Sequence, residues 1–75
     1  MTDPADLPPA RWQSRLAALK SNGASDDDHR VVECLTALSY WRVRRVVDSE
    51  RGRLAPEHVA ALADMLRHAH RAVPA

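Results

Sequence analysis

The stretch Ser25–Val47 holds both the densest run of large apolar residues and the densest run of arginines in this 75-residue chain. Ser25 precedes three aspartates, which is typical of a helix start, because a serine hydroxyl accepts from a free backbone N–H and carboxylates are favoured in the first turn. From about Asp26 onward, large apolar residues recur at the i, i+4, i+7 spacing of one helical face: Val31, Leu35 and Leu38. The pattern predicts a central helix whose core-facing stripe is formed by these three side chains.

The apolar face of this helix rotates after Trp41, because Arg42 and Arg45 fall on the line of the stripe while the later valines gather elsewhere. Three interpretations fit the change. The helix continues to about Asp48 and contacts different neighbours along its two halves, or it breaks at residues 39–40, or residues 40–54 form a short β-hairpin. We favour the continuous helix, since the hairpin would have a very short second arm.

Two shorter helices are predicted on either side of the central one. The first begins at Pro8 or Pro9, where a fixed φ and a missing N–H are tolerated, and ends at Asn22 and Gly23. Its buried side is expected to be Trp12, Leu16 and Leu19. The last helix opens at Pro56 and ends at Pro74, and its buried stripe is expected to be Val59, Leu62, Leu66 and Val73.

The resulting fold class is all-α, either a small three-helix bundle or a helical hairpin against which the first helix packs. Residues 1–7 are expected to be a disordered lead-in, and residues 8–73 a single helical domain. So short a chain buries only about 60% of its unfolded surface, which makes stability marginal. Cys34 is the only cysteine, so no disulfide within the chain supplements the core, whereas 45% hydrophobic residues make a homodimer reasonable.

The sequence gives no indication of an enzyme. No nucleophile elbow, phosphate loop or dinucleotide fingerprint is present, and the acidic residues fall at helix starts, in loops or on helix exteriors. His68 and His70 are two residues apart and therefore point away from each other on a helix, so no metal site is expected. We expect no catalytic residues, no cofactor and no small-molecule substrate. With no targeting segment and no apolar run long enough to span a bilayer, the expectation is a cytoplasmic protein.

Two non-enzymatic functions remain as hypotheses. The favoured one is a small regulatory or accessory protein-protein interaction module, which docks a partner through a face formed by Tyr40, Trp41, Val43 and Val47. The alternative is a small DNA- or RNA-binding accessory protein, because planar guanidinium groups bind phosphates bidentately. Its phosphate contacts, or in the first hypothesis its contacts to an acidic partner, would come from five arginines: Arg42, Arg44, Arg45, Arg51 and Arg53.

Overall fold

A computed structural model describes residues 2–69 as three α-helices preceded by one 3-10 turn. The turn spans Pro4–Asp6, and the helices are α1 (Pro9–Ser21), α2 (His29–Ser49) and α3 (Pro56–Arg67). Within the described range there is no strand, so the all-α prediction is confirmed. The last helix ends at Arg67, with His68 as its C-cap, so the prediction that it continues to Pro74 is wrong; Val73 and the rest of residues 70–74 lie outside the described residues.

The central helix is continuous from His29 to Ser49. The predicted extension to about Asp48 is therefore confirmed, and the alternatives of a break at residues 39–40 or a β-hairpin over residues 40–54 are wrong. The β-branched composition of residues 43–47 did not produce a strand, because no second strand is present in residues 2–69 to accept its backbone hydrogen bonds. Helical hydrogen bonds satisfy the same groups within the segment.

The α1 helix ends where it does because of the glycine that comes next in the chain. Gly23 has a φ of 86°, its N–H donates to the Lys20 carbonyl at 3.0 Å, and the Ala24 N–H donates to the Leu19 carbonyl at 2.9 Å. This pair of bonds is the Schellman arrangement, which requires a left-handed residue that glycine adopts without a steric cost. The loop that follows then carries the chain to α2.

The start of α2, at His29, lies three residues later than predicted. Asp28 is the N-cap, and its Oδ1 accepts the Arg30 backbone N–H at 2.9 Å. Ser25, the expected cap, instead donates its hydroxyl to Asp27 Oδ1 at 2.5 Å. The Arg30 guanidinium also bonds the Asp28 carboxylate, and both interactions hold the pKa of Asp28 well below its ordinary range. The ion pair with Arg30 explains why Asp28, the last of the three aspartates, is the N-cap of α2.

The core lies between α1 and the first half of α2. Its buried side chains are Trp12, Val31, Cys34, Ala37 and Leu38, with Leu7, Leu16, Leu19 and Trp41 partly buried around them. The central stripe is therefore rotated from the predicted one: Leu35 is 43% exposed, while Cys34 and Ala37 are buried in its place. The reason is that α1 approaches α2 from the side on which Trp12 meets Cys34 and Leu38.

The turn before α1 is tied to this core. Pro4 offers its carbonyl oxygen to two indole N–H groups, from Trp12 at 3.0 Å and from Trp41 at 2.8 Å. Leu7 packs against the same cluster. Residues 2–7 thus have defined contacts in the structure, which differs from the disordered lead-in that their acidic, proline-rich composition suggested.

The α3 helix contributes no buried residue. Val59, Leu62 and Leu66, which were predicted to be buried, are 41 to 54% exposed. The helix borders the C-terminal half of α2 across a groove instead of packing closely on it, so this part of the predicted core is wrong for the isolated chain. The apolar stripe of α3 exists as predicted, but within residues 2–69 it has no close partner.

Candidate docking surface

The α2 helix is apolar on two sides that are about 120° apart around its axis. The buried side contains Val31, Cys34 and Leu38, and α1 covers it. At about 100° per residue, the side chains of Val32 and Leu35 lie on the neighbouring side of the helix. Moving along the helix, Val43, Val46 and Val47 lie on that same second side, and all five are exposed. Only one of the two apolar sides of α2 is therefore covered.

The exposed side of α2 continues onto α3. We call the combined surface the α2–α3 face, defined by Val32, Leu35, Val43, Val46, Val47, Leu62, Met65 and Leu66. At roughly 150–200 Å² per fully exposed residue, their exposed fractions amount to about 650 Å², slightly above the roughly 300–600 Å² of the largest apolar patch on a typical soluble monomer. Patches of that size mark interaction sites.

A groove of about 390 Å³ runs between the two helices. Its walls are valine side chains of α2 facing leucine and methionine side chains of α3, and Arg42 is the only charged residue lining it. Val46 and Met65 are the most exposed of the apolar side chains, at 62% and 64%. A second groove continues it toward the N-terminal half of α2. Its lining is apolar at Val43, Val47 and Leu66, and polar or charged at Thr36, Ser39, Tyr40, Arg44, Asp48 and Arg51. The surface is thus a channel that an apolar side chain can enter.

The predicted docking residues do not all belong to this surface. Val43 and Val47 line the groove, and Tyr40 is exposed at its edge. Trp41 points to the other side of α2, where it is half-buried and its Nε1–H donates to the Pro4 carbonyl. Its role in the described structure is to anchor the core. The two aromatic rings meet edge to face, with centroids 5.6 Å apart.

Sequence reasoning missed Val32, Leu35, Val46 and the α3 side chains as parts of this surface. A signal for the α2 residues was present, because Val32, Leu35, Ser39, Val43 and Val46 follow one another at helical spacings of three, four, four and three residues. Two such stripes coexist on α2, and the pattern alone does not say which one α1 covers.

The five arginines are not one cluster. Arg44 bonds the Tyr40 hydroxyl at 3.1 Å, lies 4.7 Å from the Trp41 ring centroid and approaches Asp48 at 4.0 Å. Arg51 bonds the same Asp48 at 2.7 Å. Both guanidinium groups are therefore engaged within the chain. Among residues 2–69, no ion pair is formed by the other three, Arg42, Arg45 and Arg53.

A separate groove of about 480 Å³ lies beyond the N-terminal end of α1, on the covered side of α2. Leu38 and Trp41 give it apolar walls, while Arg42 and Arg45 bring positive charge to it. Asp48 also lines this groove and offsets part of that charge. The groove therefore combines an aromatic surface with guanidinium groups, which is the composition that suits an anionic ligand.

The described residues show little that suits catalysis or metal binding. No group of three or more histidine, cysteine, aspartate or glutamate side chains within residues 2–69 is arranged to hold a metal ion. Burial raises the pKa of the Cys34 thiol, which keeps it protonated and unreactive. None of the helices described over residues 2–69 combines the length and apolarity needed to cross a bilayer.

Comparison with protein-family models finds no matching family, and neither the curated proteins nor the solved structures contain a significant match to the chain. The surface and core of the molecule are consequently the basis on which its function is inferred.

Proposed function

We propose that this chain is a non-enzymatic helical interaction module that docks a protein partner through the α2–α3 face. The observation that carries the proposal is that α2 is apolar on two sides and has a neighbour on only one of them. A helix that is apolar on two sides is normally enclosed by other elements. The open side therefore favours a partner that supplies the missing layer.

The total surface of the chain supports the same proposal. Its solvent-accessible area is 6119 Å², whereas a compact monomer of its mass is expected to expose about 4,600 Å². The radius of gyration is 15.1 Å, against about 11 Å for a compact domain of this length. The accessible area and the radius of gyration both exceed those of a compact monomer, as expected for a subunit that buries part of its surface on association.

The polar residues around the groove suit a rim. Tyr40 and Arg42 are exposed where the apolar surface ends, and residues of these types are enriched in protein interfaces. The ring of Tyr40 is held between Arg44 and Trp41, so it is ordered before docking. An ordered rim reduces the side-chain entropy that association removes.

Site-specific photocrosslinking in cells tests the proposal. A benzophenone amino acid is placed at Val46 or at Met65, both on the face, and at Ala18 on the exposed side of α1 as the control. We expect the probes at Val46 and Met65 to crosslink to the same protein, at residues on an apolar helix of that protein. The probe at Ala18 should give no reproducible adduct. Absence of any adduct from both face positions in a folded protein would contradict the proposal.

The groove beyond α1 favours a second candidate, an accessory protein that contacts DNA or RNA phosphates. Arg42 and Arg45 lie there beside Trp41, and neither has an acidic partner among the described residues. Of the five arginines, these two and Arg53 form no ion pair within residues 2–69, so three phosphate contacts would give a slope of about −3 for the logarithm of affinity against the logarithm of salt.

Fluorescence anisotropy of labelled oligonucleotides distinguishes this candidate from protein docking. The Arg42→Glu, Arg45→Glu double variant is compared with Lys20→Glu, Arg67→Glu, which changes the net charge equally at positions that do not line this groove. Salt-sensitive binding that only the first variant loses would support nucleic-acid binding. Equal losses in both variants would indicate a nonspecific charge effect, and no binding at roughly 50 mM salt would exclude the candidate.

A further inference from the structure

We infer that the partner on the α2–α3 face is a second copy of this chain, docked with its α2 antiparallel about a twofold axis near Ser39. The inference rests on the proposed function, because it uses the same face, and it adds the identity and orientation of the occupant. Four observations carry it: the spacing of the stripe, its area, its exposure beyond α3, and the distribution of charge along α2.

The exposed stripe of α2 is symmetric about Ser39. Leu35 and Val43 are four residues to either side of it, and Val32 and Val46 are seven residues to either side. A twofold interface requires one patch to be complementary to itself. In an antiparallel pair, Leu35 of each copy meets Val43 of the other, and Val32 meets Val46. Ser39, a small residue, lies at the crossing point where the helices approach each other.

The area agrees with that of a stable dimer. The eight residues of the face expose roughly 650 Å² on each copy, and a standard interface takes about 800 Å² from each partner, with polar residues at the rim supplying the rest. A small peptide or a single side chain would cover only part of it. A second helical hairpin of the same size supplies an equal area.

The chain's own α3 does not close this face. It borders Val43 and Val47, while Val32 and Leu35 remain 42% and 43% exposed. A second copy in the antiparallel orientation brings its own valine-rich half of α2 to these two side chains. The two α2 helices and two α3 helices then form a four-helix arrangement in which both stripes face inward.

Charge selects the antiparallel orientation. The acidic residues 26–28 lie at the start of α2, and Arg51 and Arg53 lie beyond its end, about 30 Å away along a 21-residue helix. An antiparallel pair places Asp27 of one copy opposite Arg51 of the other, which also bonds Asp48 of its own chain. It brings Arg53, which forms no ion pair within residues 2–69, to the same end. A parallel pair would place each acidic group next to its own kind, which is unfavourable.

Sedimentation equilibrium of the unaltered chain is the first test. We expect a mass twice the 8.4 kDa of the chain, and we expect Val46→Glu to reduce it to that of a monomer. Ala18→Glu, which introduces the same charge on exposed α1, serves as the control and should remain a dimer. A dimer that Val46→Glu leaves intact would overturn the inference, because the contact would then lie elsewhere.

Disulfide trapping then determines the orientation, in a Cys34→Ala background so that only introduced thiols react. An equimolar mixture of Val32→Cys and Val46→Cys chains should form a mixed disulfide, whereas Val32→Cys alone should not crosslink. The reverse result would show a parallel pair and overturn the inference. Because Cys34 is buried, the oligomeric state itself is measured without this substitution.

The outcomes separate this inference from the proposed function. A monomeric chain whose Val46 position still captures a different protein in cells would overturn the inference and leave the interaction module standing. A monomer that captures nothing would contradict both. A dimer whose Val46 position captures only its own chain would identify self-association as the use of the face.

Discussion

The two indole N–H groups that converge on the Pro4 carbonyl oxygen give a measurable non-additivity. In Trp12→Phe or Trp41→Phe, one donor is lost while the other still satisfies the acceptor, so the hydrogen-bond part of each loss is about 0.5–1 kcal/mol. Trp12→Phe loses more in total, because Trp12 is fully buried and the smaller ring leaves a cavity. In the double variant the half-buried carbonyl has neither donor. We therefore expect the loss to exceed the sum of the single losses by about 1 kcal/mol.

Urea unfolding followed by circular dichroism at the helical band measures the four free energies of unfolding, since tryptophan fluorescence changes with the substitutions themselves. All four chains are compared at one protein concentration. As the control, Trp12→Phe combined with Val59→Ala on α3 should be additive within about 0.5 kcal/mol, because the two sites share no contact. An additive Trp12→Phe, Trp41→Phe pair would refute the shared acceptor as a source of stability.

Three further predictions follow from the described contacts. If the chain dimerises, a 100-fold rise in protein concentration stabilises the dimer by about 2.7 kcal/mol and raises its Tm by roughly 5–10 °C. Calorimetry should show this shift for the wild type and a constant Tm for Val46→Glu. Because Arg30 holds the pKa of Asp28 below its ordinary 3.8, the stabilisation this pair provides is fully present above that value and is lost progressively as pH falls from there to the folded-state pKa; the difference between the urea midpoints of wild type and Asp28→Asn should therefore be constant from pH 6 to about pH 4.5 and smaller at pH 2.5. Gly23→Ala should cost about 1 kcal/mol in urea unfolding, since the added Cβ meets open space and only the left-handed backbone is penalised.

Local signals in the sequence were sufficient for most of the helix boundaries. Proline at the first position of a helix and Asn22-Gly23 after α1 correctly located the start of α1, the end of α1 and the start of α3. The start of α2 was less determined, because Ser25 and each aspartate after it are all acceptable caps. The choice depended on Arg30, whose three hydrogen bonds to Asp28 are a property of the folded turn.

The orientation of α2 was not predictable from its own sequence. Periodicity identifies apolar stripes, but with two stripes on one helix the direction of α1 decides which becomes the core. Trp12 makes that choice by packing against Cys34 and Leu38, a contact between residues more than twenty positions apart. The same long-range packing moved Trp41 from the predicted docking surface to the core and left Leu35 exposed.

The distribution of buried residues links stability to docking. All five buried side chains belong to α1 or to the first half of α2, and none belongs to α3. The second half of α2 is held by helical hydrogen bonds and by the contacts of Arg44 and Asp48 on its surface, which are exposed and contribute little. A helix of 12 residues is marginal in water without tertiary packing. Covering the α2–α3 face would therefore stabilise the fold of this half as well as the contact itself, so association and the ordering of α3 are expected to be coupled.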